Sequence, residues 1–322
     1  MNRIPLLVIV GPTAVGKSAI ALAVAERLGG EIVNADSRQI FRGMDIGTAK
    51  PSPDEQARVP HHLLDRCDPD EAFTLADYQV EAMTIIRAIA ARGRLPILSG
   101  GTGLYVRSLL RGWTIPVAPP DLIRRESLRQ EAAELGVPAL HAQLAGVDPV
   151  AAGRIESLDL VRIMRALEVY EQTGRPISEQ QQAVPPDFDL RAFGLTRGRE
   201  ILYERINGRV EAMMAAGLRA EARALWERYG PVPLQRTLGY AECLLEMQGE
   251  LAESETVQRI QQQTRRYAKR QLTWFRGDAE LAWLDLDGCA TLAATVETIV
   301  SQVQGLSGIP SLTGPGRGGE GR

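Results

Sequence analysis

The sequence predicts an α/β fold built around a mostly parallel sheet, with an all-helical subdomain inserted into it. Three observations carry this. Short apolar runs alternate with stretches of helical period from Pro5 to Leu98. A Pro-rich break at 114–120 then opens a long segment whose pattern is helical alone. Strand-like runs return at Leu190–Leu195 and at Trp283–Leu286, with helical patterns between and after them.

The elements follow in order. Pro5 to Val10 is an uninterrupted apolar run that stops at Gly11, as expected of a strand buried on both faces. Residues 17–28 place Ala19, Ile20, Leu22, Ala23, Val24 and Leu28 on one face of a helix. Glu31–Ala35 is a second strand, 72–91 a second helix, and Leu95–Leu98 a third strand ending at Ser99-Gly100-Gly101. Residues 121–183 carry Arg, Glu, Ala and Leu at helical spacing, and Val184-Pro185-Pro186 ends that run. Helical pattern resumes over Glu200–Arg228, over 254–276 and over 290–304. This predicts a discontinuous core of 1–116 and 191–306, a helical insertion of 117–190, and a Gly- and Pro-rich tail of 307–322 expected to be disordered.

Composition bounds the function. The chain has 322 residues, 44% hydrophobic and 24% charged, which fits a soluble globular protein. Its first apolar run is too short to span a membrane or to form a signal segment. Three widely spaced cysteines (Cys67, Cys243 and Cys289) suggest reduced thiols in a cytoplasm, and three histidines without metal spacing argue against zinc. No heptad or broad apolar strip stands out, so a monomer is expected. A net charge of −3 argues against a nucleic-acid partner unless a local basic face exists.

Gly11, Pro12, Thr13, Ala14, Val15, Gly16, Lys17 and Ser18 match G-x-x-x-x-G-K-[ST] in full, between a predicted strand and a predicted helix. In that setting backbone N–H groups surround phosphate oxygens, Lys17 adds a point charge, and the Ser18 hydroxyl is placed to ligate Mg²⁺. The core is therefore P-loop NTPase-like and binds a di- or triphosphate. The strand before Ser99 ends without an acid, which disfavours a motor ATPase or GTPase.

Asp36 follows the second strand, on the edge where open α/β sheets bind ligands. Position alone leaves it either a general base beside the phosphates or a turn cap. The Ser99–Tyr105 loop offers close backbone approach and the Thr102 hydroxyl, and a tight strand-to-helix turn explains its glycines equally well. The stretch 265–276 carries Arg265, Arg266, Lys269, Arg270 and Arg276 with no acid, and Tyr267, Trp274 and Phe275 among them. Such a face suits an RNA backbone and its bases, although Tyr267 and Trp274 share one side of a helix and at least one belongs to the core. On these residues alone, a small-molecule kinase and a nucleotide-gated RNA-binding module remain open.

Taken together the motifs resemble the tRNA dimethylallyltransferase family, bacterial type. The resemblance rests on the 11–18 loop, Asn34–Pro51, Pro60–Asp65, Gly100–Tyr105, Arg162–Tyr170, Leu238–Tyr240 and Thr264–Arg276, in family order over nearly the whole chain. The segment 34–51 is the most specific, since no generic phosphate-loop argument predicts its run from Gly43 to Lys50. The resemblance implies transfer of a dimethylallyl group from dimethylallyl diphosphate, with Mg²⁺, to N6 of the adenosine 3′ of the anticodon. It implies Asp36 as general base, Thr102 as a holder of donor and base, and Arg209 as an orienting group for the diphosphate. It implies tRNA contacts from Asp36, Ser37, Arg38, Gln39, Thr102, Arg124, Arg162, Arg165, Arg236, Arg265, Arg266, Lys269 and Arg270. Val161 and the Arg236–Ala241 segment depart from the family pattern at expected RNA contacts.

Overall fold

The computed structural model describes residues 3–288, 291–303 and 306. Cys289 and the expected tail of 307–322 lie outside the described residues. The chain forms two compact units, one of residues up to Arg107 with those from Asp187 on, the other of Ser108–Pro186.

The first unit is built on six strands: β1 (Ile4–Val10), β2 (Glu31–Asn34), β3 (His61–His62), β4 (Pro96–Gly100), β5 (Phe188–Thr196) and β6 (Ala282–Asp285). Their order is β3-β2-β4-β1-β5-β6 and every pairing is parallel. β1 lies central, with Leu6 through Val10 fully buried, which accounts for its unbroken apolar run. The short β3 had no periodicity to reveal it. Its histidines are satisfied structurally: His62 Nε2 bonds Glu31 at 2.7 Å and His61 Nδ1 bonds the Val59 carbonyl at 2.8 Å. Leu7, Ile9, Ile20, Val24, Ile97, Phe193, Leu195 and Ile299 pack one core between sheet and helices.

Residues 200–228 are two helices, Arg199–Ala215 and Leu218–Tyr229, where the sequence suggested one. The backbone turns left-handed at Gly217, with φ of 102°, which only glycine adopts without strain, and the chain reverses there. The second helix packs with Tyr240–Met247 and the long Glu253–Arg276 helix around Leu218, Leu225, Leu234, Tyr240 and Leu244. From it Glu221 reaches the 43–50 loop, where its carboxylate accepts from the backbone N–H groups of Asp45, Ile46 and Gly47 and from the Tyr240 hydroxyl. The second half of the most family-specific segment, 34–51, is thus a loop folded around one carboxylate.

The second unit consists of the helices Leu122–Leu135, Val137–Val147, Pro149–Ala152, Leu160–Thr173 and Ile177–Gln180. Leu128, Leu140, Leu144, Ile163, Leu167 and Val169 form its core. It starts and ends earlier than the expected 117–190 because its neck is closed by chain pairing. Trp113 bridges Ala183, Thr114 N donates to Gln182 O, and Val184 N donates to Gly112 O.

One carboxylate dominates this unit. Glu168 is fully buried and accepts from Arg125 Nη2 and Arg165 Nη1 at 2.8 Å each and from the Asp121 backbone. Burial pushes its carboxyl up, but the bonds from Arg125, Arg165 and Asp121 outweigh that and hold it below its ordinary 4.5. Its stabilisation is therefore present above the unfolded pKa and is lost as the pH falls through the lower folded value. Glu168→Ala takes the carboxylate from two partly buried guanidiniums, leaving Arg165 its bond to the Ala118 carbonyl, and is expected to cost about 3 kcal/mol at pH 7, measured by urea unfolding. The difference between variant and parent should shrink when the same titration is run in acid.

Candidate functional site

Because all six strands run the same way, the loops after β1, β2, β4, β5 and β6 open on one edge of the sheet. The site is assembled there. The loop after β1 curls back at Gly11, whose φ is +150° and where a Cβ would stand 2.7 Å from Leu195 O of β5. Gly16 caps the Lys17–Leu28 helix with no side-chain bond, leaving the first N–H groups of the helix for a ligand. The outer carbonyls of the loop are braced by two arginines that sequence reasoning passed over. Arg205 Nε donates to Ala14 O at 2.8 Å and Arg197 Nε to Val15 O at 3.0 Å, with Asp287 fixing Arg197 at 2.7 Å.

Lys17 donates through Nζ to Pro12 O at 2.7 Å. Burial pushes its ammonium down to about 7, with Asp36 opposing and Arg209 adding to the effect. Arg209 is likewise lowered by burial, opposed by Asp36 and reinforced by Arg205. Lys17, Asp36 and Arg209 therefore form one electrostatic cluster: two desolvated cations about a single carboxylate. That surplus of positive charge is what an anionic phosphate chain would neutralise.

Asp36 sits in a turn stabilised from both sides. Asn34 Oδ1 accepts from Asp36 N, and Asn34 Nδ2 donates to Asp36 O and Leu63 O. Asp36 Oδ1 accepts from Arg38 N at 2.9 Å, so the turn it caps is also the turn that aims it. Base and cap were alternatives on sequence grounds, but the geometry lets one carboxylate serve both. Thr102 joins this loop to the next: its N donates to Ala35 O, and its Oγ1 accepts from Ser37 N at 3.0 Å. Tyr267 is packed near Asp36 and Arg38, and burial drives its phenol well above the ordinary range. Gln39 spends its amide donors on Thr48 O and Ala49 O.

The Glu253–Arg276 helix presents Arg266, Lys269 and Arg270 to solvent. A groove of about 780 Å³ is lined by Arg107, Arg266, Lys269, Arg270, Thr273 and Trp274. Arg107 lies 4.5 Å from the Trp274 ring centroid and donates to the Trp274 carbonyl. Arg265 instead turns inward to Asn207 Oδ1 at 2.6 Å. Arg236 is exposed elsewhere on this unit. In the helical unit Arg162 is exposed, whereas Arg124 is held by Glu131 and Glu171 and Arg165 by Glu168 and Ala118 O. Of the three arginines expected at RNA there, Arg162 is the most exposed, with Asp159 of its own helix cap 3.3 Å away.

Among the described residues no group of three His, Cys, Asp or Glu side chains could hold a metal, and no helix is long and apolar enough to cross a membrane. The Ser18 hydroxyl is exposed at the start of the Lys17–Leu28 helix and could serve as a donor to Mg²⁺, an ion that takes few protein ligands and shares the oxygens of a bound phosphate.

Comparisons with known proteins bear on the family and the fold. A family model described as IPP transferase matches residues 39–278. The tRNA dimethylallyltransferase of Symbiobacterium thermophilum is 50% identical over 305 residues, 94% of this chain and 96% of that one. That of Geobacillus kaustophilus is 47% identical over 301 residues, 92% and 96% of the two chains. The crystal structure of the full-length tRNA isopentenylpyrophosphate transferase from Bacillus halodurans superposes with a TM-score of 0.67 at 38% identity, covering 95% of this chain and 98% of the other. A eukaryotic dimethylallyltransferase acting on tRNA gives a TM-score of 0.74 at 27% identity, covering 92% of this chain and 78% of its own. With its phosphate loop, Asp36 and basic helix gathered on one unit, and with relatives matched nearly end to end, the chain belongs to the tRNA dimethylallyltransferase family.

Proposed function

We propose that this chain transfers the dimethylallyl group of dimethylallyl diphosphate to N6 of the adenosine 3′ of the anticodon in tRNA, acting as a monomer. The observation that carries the reading is the phosphate loop and the Asp36 turn on one edge of a parallel sheet, in a chain matched nearly end to end by tRNA dimethylallyltransferases. An exocyclic adenine amine is a weak nucleophile, so the barrier must fall mainly by stabilising the leaving group. As the allylic C–O bond breaks, negative charge collects on the diphosphate. The N–H groups of the 11–18 loop, Lys17 and Arg209 would stabilise that charge, Lys17 by exchanging its bond to the Pro12 carbonyl for one to a phosphate oxygen. The amine nitrogen bonds to the allylic carbon, and Asp36 takes the proton the nitrogen sheds. Bound through Ser18, Mg²⁺ would supply further charge neutralisation at the diphosphate.

The acceptor base must leave its stack to reach this recessed edge. Thr102, Ser37 and Arg38, tied together beside Asp36, would contact it there. The exposed Arg266, Lys269 and Arg270 would track RNA phosphates, with Arg236 and, from the helical unit, Arg162 as further contacts.

Two experiments test this. Purified protein with Mg²⁺, labelled dimethylallyl diphosphate and unmodified tRNA should place label in tRNA and not in competing AMP or ATP. Asp36→Ala should lower transfer by about 10²- to 10⁴-fold, the usual worth of a general base. Label in free nucleotide, or phosphate released from ATP, would overturn the reading. The second experiment concerns pH. Lys17 loses its proton near pH 7 in the empty site, and a bound diphosphate favours the charged form. Donor affinity should therefore weaken as pH rises above about 7, and binding there should take up a proton. Calorimetric titrations in buffers of different ionisation enthalpy should give heats that differ above pH 7 and converge below it; heats independent of buffer would refute the assignment.

A further inference from the structure

Gln271 lies on the Glu253–Arg276 helix, the same helix that presents Arg266, Lys269 and Arg270 outward, and only 6% of it is exposed. Its amide points away from solvent and into the site. Oε1 accepts from Thr13 N of the phosphate loop at 2.8 Å, and Nε2 donates to Gly101 O of the loop after β4 at 2.9 Å. The fit is close, since a Cβ on Gly101 would stand 2.3 Å from Nε2. Tyr267, one turn earlier on the helix, lies beside the Gln271 side chain.

The sheet order shows why such a link matters. β1 and β2 are not neighbours, because β4 lies between them. The phosphate loop and the Asp36 loop therefore begin two strands apart, roughly 10 Å. The loop after β4 bridges that gap. On one side Thr102 holds Ser37 and Ala35; on the other Gly101 is tied to Thr13 through Gln271. One planar amide completes a chain of bonds from the cradle of the leaving group to the carboxylate proposed to take the proton.

We infer that Gln271 is a positioning residue that fixes the distance between the diphosphate cradle and the acceptor side of the site, so that departure of diphosphate is coupled to capture of the allyl unit by the RNA amine. This rests on the transferase reading above. If the spacing loosens, the allylic C–O bond still breaks under the pull of Lys17 and Arg209, but the amine is no longer in line. Water then attacks the allylic carbon, diphosphate leaves with the bonding electrons, the water's proton passes to solvent, and the product is the five-carbon alcohol.

The test measures diphosphate released and prenyl groups transferred to tRNA in one reaction with the full chain. Wild type should give one of each. Gln271→Leu, which keeps the volume and loses both bonds, should lower the rate of transfer roughly 10- to 100-fold, the scale of a misplacement near 1 Å. Its diphosphate release should exceed transfer, with the alcohol making up the difference. Gln271→Glu keeps an acceptor for Thr13 N and loses the donor to Gly101 O, so it should uncouple as well, with a raised KM for the donor. It also decides the question if the leucine variant does not fold by circular dichroism. A ratio of one in a folded variant, whatever its rate, overturns the inference. No transfer by wild type at all would sink the transferase reading instead.

Discussion

The constraint on which the rest depends is the common direction of the six strands. Only a fully parallel sheet delivers the ends of β1, β2, β4, β5 and β6 to the same edge, and each end supplies something the others lack. β1 gives the phosphate loop, β2 gives Asp36, and β4 gives Thr102. β5 and β6 give Arg197 and Asp287, which brace the phosphate loop from behind. A reversal of any of these strands would carry its loop to the opposite edge. The helices are secondary to this, since each crossover exists to return the chain to the same side.

That edge is electrostatically poised in the empty protein. Lys17 and Arg209 are both lowered by burial, and Asp36 alone opposes this for either. Lys17 meanwhile rests on the carbonyl of Pro12 within its own loop. Holding two desolvated cations together is unfavourable without an anion, and the fold tolerates it because the loop is fixed on every side: Gly11 against Leu195, Ala14 and Val15 under arginines, Thr13 under Gln271. The strain is local and the support is distributed. This is the arrangement expected where charge develops during a reaction rather than where charge merely stabilises a fold.

Much of this was legible in the sequence, for identifiable reasons. The 17–28 helix was found to the residue, because its apolar face and its Gly-Lys start coincide with its end at Gly29. The strands were legible from apolar runs, except β3, whose two histidines carry no pattern at all. The break at Gly217 was missed because helical periodicity continues on both sides of it, and a single glycine is compatible with an unbroken helix. Asp36 and Lys17 were visible through motif and position. Gln271, Arg197 and Arg205 were not, since their partners are backbone atoms far away in sequence and no spacing rule points to them. One signal for Gln271 did exist: it occupies the buried stripe formed by Ile260, Ala268 and Phe275, where a polar side chain must find partners.

The acidic balance of the chain, which weighed against an RNA partner, resolves once the acids are located. Three inward-turned carboxylates are internal anchors, Glu31 and Glu168 buried and Glu221 half-buried. Glu31 holds His62 and Arg92 on the catalytic unit, Glu221 folds the 43–50 loop, and Glu168 ties two arginines in the helical unit. Each is taken up by a partner within its own unit and projects little field outward. The stretch 265–276 has no acid, so Arg266, Lys269 and Arg270 stand on the surface without a neighbouring carboxylate from their own turn. Net charge sums these two populations and so conceals the second. What an approaching polyanion meets is the local field within a Debye length of the surface, roughly 8 Å at physiological salt, and along this helix that field is set by the bases.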